Sequence, residues 1–389
     1  MSFIINIIFA SVLVCCGKFI LKNVSFLRVL NFPPSLIGGL LGLVLLSSGG
    51  VALPPAKALR DLLLITFFVS VGLGLQPQQW HGMKRDVLKL SVISVGLILL
   101  QNFIGVALSS LMQLPLLFGL IAGSVTFVGG LGSALAWGGV FETLGVVGAT
   151  EAGILIATIG LVVGALVAGP VTLYIIKRHS LRSSHPKRSI EESSEPTLKR
   201  SRKSALLQWV IVITLYVVCI VGGDVIQAAL PAGVTLPDFL TAMIVAVVLV
   251  VLLHSRSYLL PHLQITTVGA VSLSCFIALT LSTLELAVFM KMAGPLLIIA
   301  VTQVIITCLY AYQVVFKQMG KDYDAAVMAG SVIGFGLSSF SIAMATMRQV
   351  NHNKGPSPRA HGVISFVGSS IVDLSNAVII GGLVTLLST

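Results

Sequence analysis

The stretch TFVGGLGSALAW, residues 126–137, lies inside a long apolar region yet carries three glycines in four positions, followed by a serine. Gly129, Gly130 and Gly132 each weaken a helix by roughly 1 kcal/mol relative to alanine. Three together predict a break. Within a bilayer, non-helical backbone is tolerated only where protein buries it or where it lines a wet cavity. What the glycines mean therefore depends on whether the chain around them spans a membrane.

Composition answers that. Of 389 residues, 56% are hydrophobic and 10% charged, and the mean hydropathy is +1.04. Soluble domains carry about 25% charged residues. Many apolar runs approach the roughly 20 residues that span hydrocarbon. The chain reads as an all-α polytopic membrane protein with no sizeable soluble domain. Its first residues, MSFIINIIFASVLVCC, lack a positive n-region and a cleavage motif, so they read as the first span. Cys15, Cys16, Cys219, Cys275 and Cys308 sit in apolar runs without metal or redox spacing and read as packing residues. The seven histidines show no metal spacing either.

The net charge of +11 would suit nucleic acid, but the charge lies in loops between spans, and a nucleic-acid partner is rejected. The densest block, residues 177–203, holds nine Lys/Arg and three Glu among serines and few apolar residues. It reads as a basic cytoplasmic linker, 177–205, between membrane repeats at 1–176 and 206–389. Apolar runs fall near 3–20, 34–50, 61–76, 89–112 and 150–176, then near 206–229, 239–254, 263–284, 287–316 and 363–386. The run 113–145 is too long for one span and short for two with a turn. A re-entrant hairpin with its tip at the glycines fits, and a second Gly-interrupted run lies at 325–347. With both termini outside, this layout puts 21 of the 24 Lys/Arg on the inner side and leaves Lys57, Arg60 and Lys291 elsewhere. A full crossing of 113–145 would place the linker and the earlier basic loops on opposite sides, so the positive-inside rule favours the hairpin.

Five spans are an odd number, so two similar halves would be inverted repeats. Gly130-Leu131-Gly132 and Gly334-Phe335-Gly336 lie 204 residues apart, as do Pro33 and Pro237. Gln101 and Gln303, inside the fourth span of each half, lie 202 apart. Paired Gly-interrupted segments in corresponding positions are the best sequence pointer to a secondary transporter's binding site.

The chemistry follows from the breaks. A tip leaves backbone N–H and C=O groups without helical partners. Helix N-termini there favour an anion such as a carboxylate, and freed carbonyls and hydroxyls can ligate Na⁺. The substrate-site candidates are Thr126, Gly129, Gly130, Gly132 and Ser133 at the first tip, and Gly334, Gly336, Ser338, Ser339 and Ser341 at the second. Small residues also serve close helix packing; the matched pair of tips favours the site reading. Asp373 lies near the middle of the last span, where a carboxylate costs roughly 2.5–3.5 kcal/mol to insert. Asn376 follows three residues later on the same helical face. With Thr346 these are the candidate Na⁺ ligands. The alternatives for Asp373 are a structural polar contact between helices and a protonated aspartate. Asp61, Asp224, Glu142, Glu151 and Glu285 lie nearer span ends and read as interfacial.

Several stretches together resemble the glutamate:sodium symporter family of bacteria over nearly the whole chain. They are LLQNFIGVALSSLM, LFGLIAGSVTFVGGLGSALAW, TEAGILIATIGLVVGALVAGPV, MGKDYDAAVMAG, GFGL and VDLSNAVI. The resemblance implies an inverted-repeat homodimer with two Gly-rich re-entrant hairpins. It implies inward movement of an acidic amino acid with Na⁺ across the inner membrane, by an elevator-like motion, and no organic cofactor. The sequence departs from the family at the tips. The family reads Gly-Gly-His-Gly where Leu131 stands here, and Gly-Ala-Thr-Pro-Thr-Ala-Ile-Ala-Asn-Met where this chain runs Ser338 to Met347. Pro33-Pro34-Ser35 replaces a Pro-x-Pro. Fold and transport class therefore carry over more fully than glutamate specificity. The leading expectation is Na⁺-coupled symport of glutamate or a related small carboxylate by a lipid-embedded carrier. The alternatives are another organic anion or amino acid, with proton coupling through Asp373, and an intramembrane enzyme or a channel. An aspartyl protease would need a second acid facing Asp373, and the first tip offers Ser133 instead.

Overall fold

The computed structural model describes residues 2–24, 32–48, 57–75, 83–183, 202–229, 236–255, 260–283 and 286–387. The described residues are helical, with no strand among them. Helices α1 (Ser2–Asn23), α2 (Pro34–Ser47), α3 (Lys57–Leu73) and α4 (Lys84–Leu111) open the chain. A broken element follows, α5 (Leu116–Leu120) running into a π-helical turn at Ile121–Val125, then α6 (Gly130–Thr143) and α7 (Ala149–Arg178). After the linker come α8 (Arg202–Ala229), α9 (Asp238–Ser255), α10 (His262–Ser282) and α11 (Leu286–Tyr310), which ends in a π-turn at Ala311–Phe316. Next are α12 (Tyr323–Leu337), α13 (Phe340–Lys354) and α14 (Pro358–Phe366), and a third π-turn at Val367–Ile371 leads into α15 (Val372–Leu387). Most of the linker, 184–201, lies outside the described residues.

Local chemistry sets the helix ends. The Asp322 carboxylate accepts the Ala325 N–H at 2.7 Å and caps α12. Pro34 and Pro358 open α2 and α14, where a missing N–H costs nothing. Before α7 the chain turns at Gly148 with φ +81°, and the Glu142 carboxylate accepts the Thr150 N–H at 3.0 Å.

Seven helical stretches among the described residues are long and apolar enough to cross a membrane: Phe3–Asn23, Lys84–Leu111, Ala149–Arg178, Leu206–Ala229, His262–Ser282, Gly294–Phe316 and Pro358–Leu387. The runs expected as spans at 34–50, 61–76 and 239–254 form the shorter helices α2, α3 and α9, of 14, 17 and 18 residues. Large apolar side chains such as Ile4, Ile8, Phe19, Leu206, Val210 and Val225 lie exposed on α1 and α8, as surfaces facing lipid do.

The helices pack in two groups. One joins α1, α2 and α3 with α8, α9 and α10; the other joins α4 to α7 with α11 to α15. Each half of the chain thus sends its first three helices to one group and the rest to the other. In the second group Gly105 of α4 sits against Gly119 of α5, so close that a Cβ on Gly105 would lie 2.1 Å from the Gly119 carbonyl oxygen. The groups meet where Gly132 packs on Phe67 and Leu273, where the Trp137 and Phe239 rings stand edge to face at 5.3 Å, and where Gly381 faces Leu240.

The two ends of the bundle are built differently. At one end Arg359 bonds Asp86 through Nε (2.8 Å) and Nη2 (3.0 Å), Asp322 through Nη1 (2.8 Å), and the Met319 carbonyl (3.0 Å). Ser183 donates to the Pro356 carbonyl at 2.6 Å at this same end. The starts of α4 and α14, the end of α7 and the loop before α12 therefore gather there. At the opposite end a cavity of about 620 Å³ opens between the two groups. Lys57, Arg60, Asp61, Glu142, Glu151 and Asp238 are among the residues that line it.

Candidate functional site

The two glycine-rich stretches meet. Gly130 has φ +64° and starts α6; a Cβ on it would lie 2.6 Å from the Ser338 carbonyl oxygen. Ser338 ends α12, and Ser339, in extended conformation, precedes α13. The N-termini of α6 and α13 thus start at one contact, and the first N–H groups of each helix have no partner within it. Gly334 lies against Ala343, which lets α12 and α13 run side by side from this turn. At their far ends Tyr323 donates its hydroxyl to the Gly355 carbonyl at 2.6 Å.

The first stretch breaks twice. Besides Gly130, Gly123 is non-helical, with φ −102° and ψ −134°. A Cβ there would meet the Asn102 Oδ1 at 2.8 Å and the Gln101 carbonyl at 3.1 Å. This break exposes the backbone of Ser124 sideways. Asn102 Oδ1 accepts both the Ser124 N–H and the Ser124 hydroxyl contact, each at 3.1 Å. Asn376 Nδ2 donates to the Ser124 carbonyl at 3.1 Å, and its Oδ1 lies 2.6 Å from Ser124 Oγ. Two glutamines complete the cluster. Gln101 Nε2 donates to the Gly336 carbonyl (2.7 Å) and to Thr307 Oγ1 (3.0 Å). Gln303 Nε2 donates to the carbonyls of Gln101 (2.7 Å) and Ala122 (3.2 Å). Each glutamine therefore reaches across to the other half of the chain. Gln101, Asn102, Ser124, Gln303 and Asn376 are all buried, and Gln101 Oε1, Gln303 Oε1 and Asn102 Nδ2 have no hydrogen-bond partner among the described residues.

The expected site residues divide. Gly130, Ser338 and Ser339 gather at the contact between the turns, and Gly336 joins it to the polar cluster through its carbonyl. Thr126 is buried and closes on its own chain, donating to the Ile121 carbonyl at 2.7 Å. Gly129 packs on Ser133, Gly132 on the other helix group, and Gly334 within its own helix pair. Ser133 is half-buried and Ser341 exposed. Of the candidate Na⁺ ligands, Asn376 is in the cluster, Thr346 is buried on α13, and Asp373 sits one turn before Asn376, half-buried. Asn102 and Ser124 were not singled out in the sequence. The signal was the Gln101-Asn102 pair in mid-span, where a buried polar residue demands a partner. None of the substrate-site candidates lines the cavity between the helix groups, whose inner wall is Trp137, Phe239 and Phe276. No group of three or more His, Cys, Asp or Glu is placed to hold a metal among the described residues.

Long apolar helices, with broken ones between them and buried polar groups at the breaks, define a multi-pass membrane protein, and the family it matches is one of transporters rather than enzymes. Residues 1–356 match the sodium/glutamate symporter family. The chain is 35% identical over 387 residues to the sodium/glutamate symporter of Escherichia coli (strain K12), covering 96% of this chain and 95% of that one. To the sodium/glutamate symporter of Haemophilus influenzae it is 30% identical over 382 residues, covering 95% and 94%. The chain belongs to the sodium/glutamate symporter family.

Proposed function

We propose that this chain carries glutamate or a related small carboxylate inward across the inner membrane together with Na⁺. The observation that carries the reading is the contact of Gly130 with Ser338, which brings two helix N-termini together in the buried middle of the chain. Such termini favour a carboxylate. The names of the relatives supply glutamate and Na⁺ as the pair to test first.

The two turns act as tips of re-entrant hairpins at 113–145 and 325–347, and the halves 1–176 and 206–389 are inverted repeats. The split of each half between the same two helix groups supports this. The linker faces the cytoplasm, because the basic starts of α4 and α14 share an end with the close of α7. The substrate carboxylate meets Gly129 to Ser133 and Gly336 to Ser341; Asn376, with Asp373 and Thr346, serves Na⁺. The chain works as a homodimer in lipid, one helix group moving against the other.

A less polar carboxylate is the second reading. Leu131 is buried in the apolar core and Ile342 is buried, and neither offers a donor to a second charged group. A site that hydrogen-bonds such a group discriminates far better than an apolar one. Counterflow uptake in proteoliposomes, with labelled amino acids and dicarboxylates in Na⁺ or choline, tests both readings. Na⁺-dependent exchange of glutamate supports the first; exchange only of less polar carboxylates supports the second; exchange unaffected by Na⁺ refutes both.

A further inference from the structure

We propose that the cavity between the two helix groups binds a zwitterionic amino acid with an apolar side chain. The site is separate from the glycine-rich turns, none of whose candidate residues lines it. It stands whichever carboxylate those turns carry.

The cavity has the size and lining of a small-molecule site. Its volume, about 620 Å³, falls within the roughly 300–1,000 Å³ usual for such pockets. Its inner wall is aromatic, from Trp137, Phe239 and Phe276, and suits an apolar side chain. Gly139 also lines it, and a Cβ there would meet nothing within 4 Å.

Two opposite charges line this space from different helix groups. Arg60, on α3, donates through Nη1 to Thr283 Oγ1 at 3.0 Å. Glu142, at the end of α6, accepts the Thr150 N–H through Oε1 at 3.0 Å. Each side chain is held by one bond and has capacity left, because a guanidinium carries five N–H groups and a carboxylate a second oxygen. Among the described residues neither forms an ion pair, with the other or with a third residue. A molecule that carries both charges completes both.

The surrounding charges set its orientation. Asp61 stands within Coulombic reach of Lys57, Arg60 and Asp238, so that side of the cavity holds two charges of each sign. The side built by α6 and α7 holds Glu142 and Glu151 and no cation among the lining residues. The ligand's ammonium therefore belongs on the α6 side, and its carboxylate on the planar fork of Arg60. A simple amine leaves the fork unused, and a simple acid leaves Glu142 unanswered. Two further polar atoms in the wall wait for a partner. Thr280 Oγ1 and Trp137 Nε1 are buried without a hydrogen bond among the described residues, and such groups are costly to leave unmade. Carboxylate oxygens bring acceptors to a wall with donors to spare. Because it touches both helix groups, a bound amino acid also fixes their separation at this end.

Trp137 reports on the site. The chain has three tryptophans, Trp80, Trp137 and Trp209, so Trp80→Phe with Trp209→Phe leaves the one in the cavity wall. Its emission is followed in purified protein against L-leucine, against 3-methylbutylamine (leucine without its carboxylate) and against 4-methylpentanoate (leucine without its ammonium). Leucine is expected to shift the emission saturably, and the amine and the acid to bind about tenfold more weakly or worse. Arg60→Gln keeps a donor for Thr283 and should weaken leucine to the level of the amine. Glu142→Gln keeps an acceptor for the Thr150 N–H and should weaken it to the level of the acid. Gly139→Phe fills the cavity and should abolish the shift with the unfolding temperature near that of the parent. Equal binding of all three compounds, a shift that survives Gly139→Phe, or no shift with leucine overturns the site. Should Gly139→Phe unfold the protein, the two charge variants decide, and unchanged leucine binding in both overturns it. Na⁺-dependent uptake is measured apart, so each of these results leaves the transport reading standing.

Discussion

The carbonyl oxygen of Ser338 lies 2.6 Å from the point where a side chain on Gly130 would begin, and Gly130 holds φ +64°. Two turns 208 residues apart in the chain close on one another through a glycine that no other residue can replace without strain. Gly130→Ala is expected to destabilise the protein by about 1–3 kcal/mol and to abolish uptake. Gly382→Ala is the comparison: nothing lies within 4 Å of a Cβ there, and the change should leave stability equal or raise it by roughly 0.5–1 kcal/mol. Thermal unfolding and uptake of both variants check the pair.

Gln303 ties two stretches of the first half through one amide. Gln303→Leu should cost roughly 1–2 kcal/mol in total for the two lost bonds. The bond it makes to residue 101 is to the main chain, so Gln101→Leu leaves that bond in place. Both side chains nevertheless sit in one hydrogen-bonded cluster, so the double variant should depart from additivity by about 0.5 kcal/mol or more. A coupling energy near zero in a double-mutant cycle would contradict the shared cluster.

At the charged end, Arg359 uses its planar fork on Asp86 and a third N–H on Asp322. These groups are partly exposed, so the loss in Arg359→Ala should be on the order of 1 kcal/mol. Arg359→Lys should not restore it, because an ammonium cannot bond Asp86 in two places. Unfolding of the two variants, compared in low and high salt, reads the effect.

Asp373→Asn removes a carboxyl group that lies one helical turn before Asn376. We expect the inserted protein to need more Na⁺ for uptake, or to lose uptake. Unchanged Na⁺ dependence would remove Asp373 from the coupling mechanism.

The orientation can be read with a cysteine at Ser193 in an otherwise cysteine-free chain. An impermeant thiol reagent should label it in inside-out vesicles and not in intact cells. Labelling in intact cells would reverse the arrangement of both halves.

Much of this was legible in the residues. The glycine cluster at 129–132 pointed to the break at Gly130, while Gly334 and Gly336 lie within α12 and the second break falls just beyond them, at Ser338 and Ser339. Charge placement grouped the starts of α4 and α14 with the end of α7, since lipid forbids charge on the other faces. The break at Gly123 was not legible: a single glycine in an apolar run is usually a packing residue, and only the Asn102 side chain packed against it shows otherwise. Ser124 was hidden for the same reason. Gln101 and Gln303 stood out as a matched pair, but a sequence does not reveal that each reaches into the other half. Lys57 and Arg60, left over by the charge count, turn out to line the cavity between the helix groups.

Helix α4 has 28 residues, roughly 42 Å of length, against a hydrocarbon layer of about 30 Å. Arg359 fastens its first turn, through Asp86, at the charged end. A helix longer than the hydrocarbon layer tilts or carries its ends beyond it, and its anchored end and its packing against neighbouring helices set the angle. Gln101 and Asn102 ride on that helix, past its middle. Bilayer thickness reaches the polar cluster through whatever tilt α4 takes up, a thicker layer favouring a more upright helix and a thinner one a more inclined helix. Reconstitution in phosphatidylcholines of graded acyl length should accordingly move the Na⁺ midpoint of uptake in one direction across the series, and the shift should shrink once Arg359→Ala releases the anchored end.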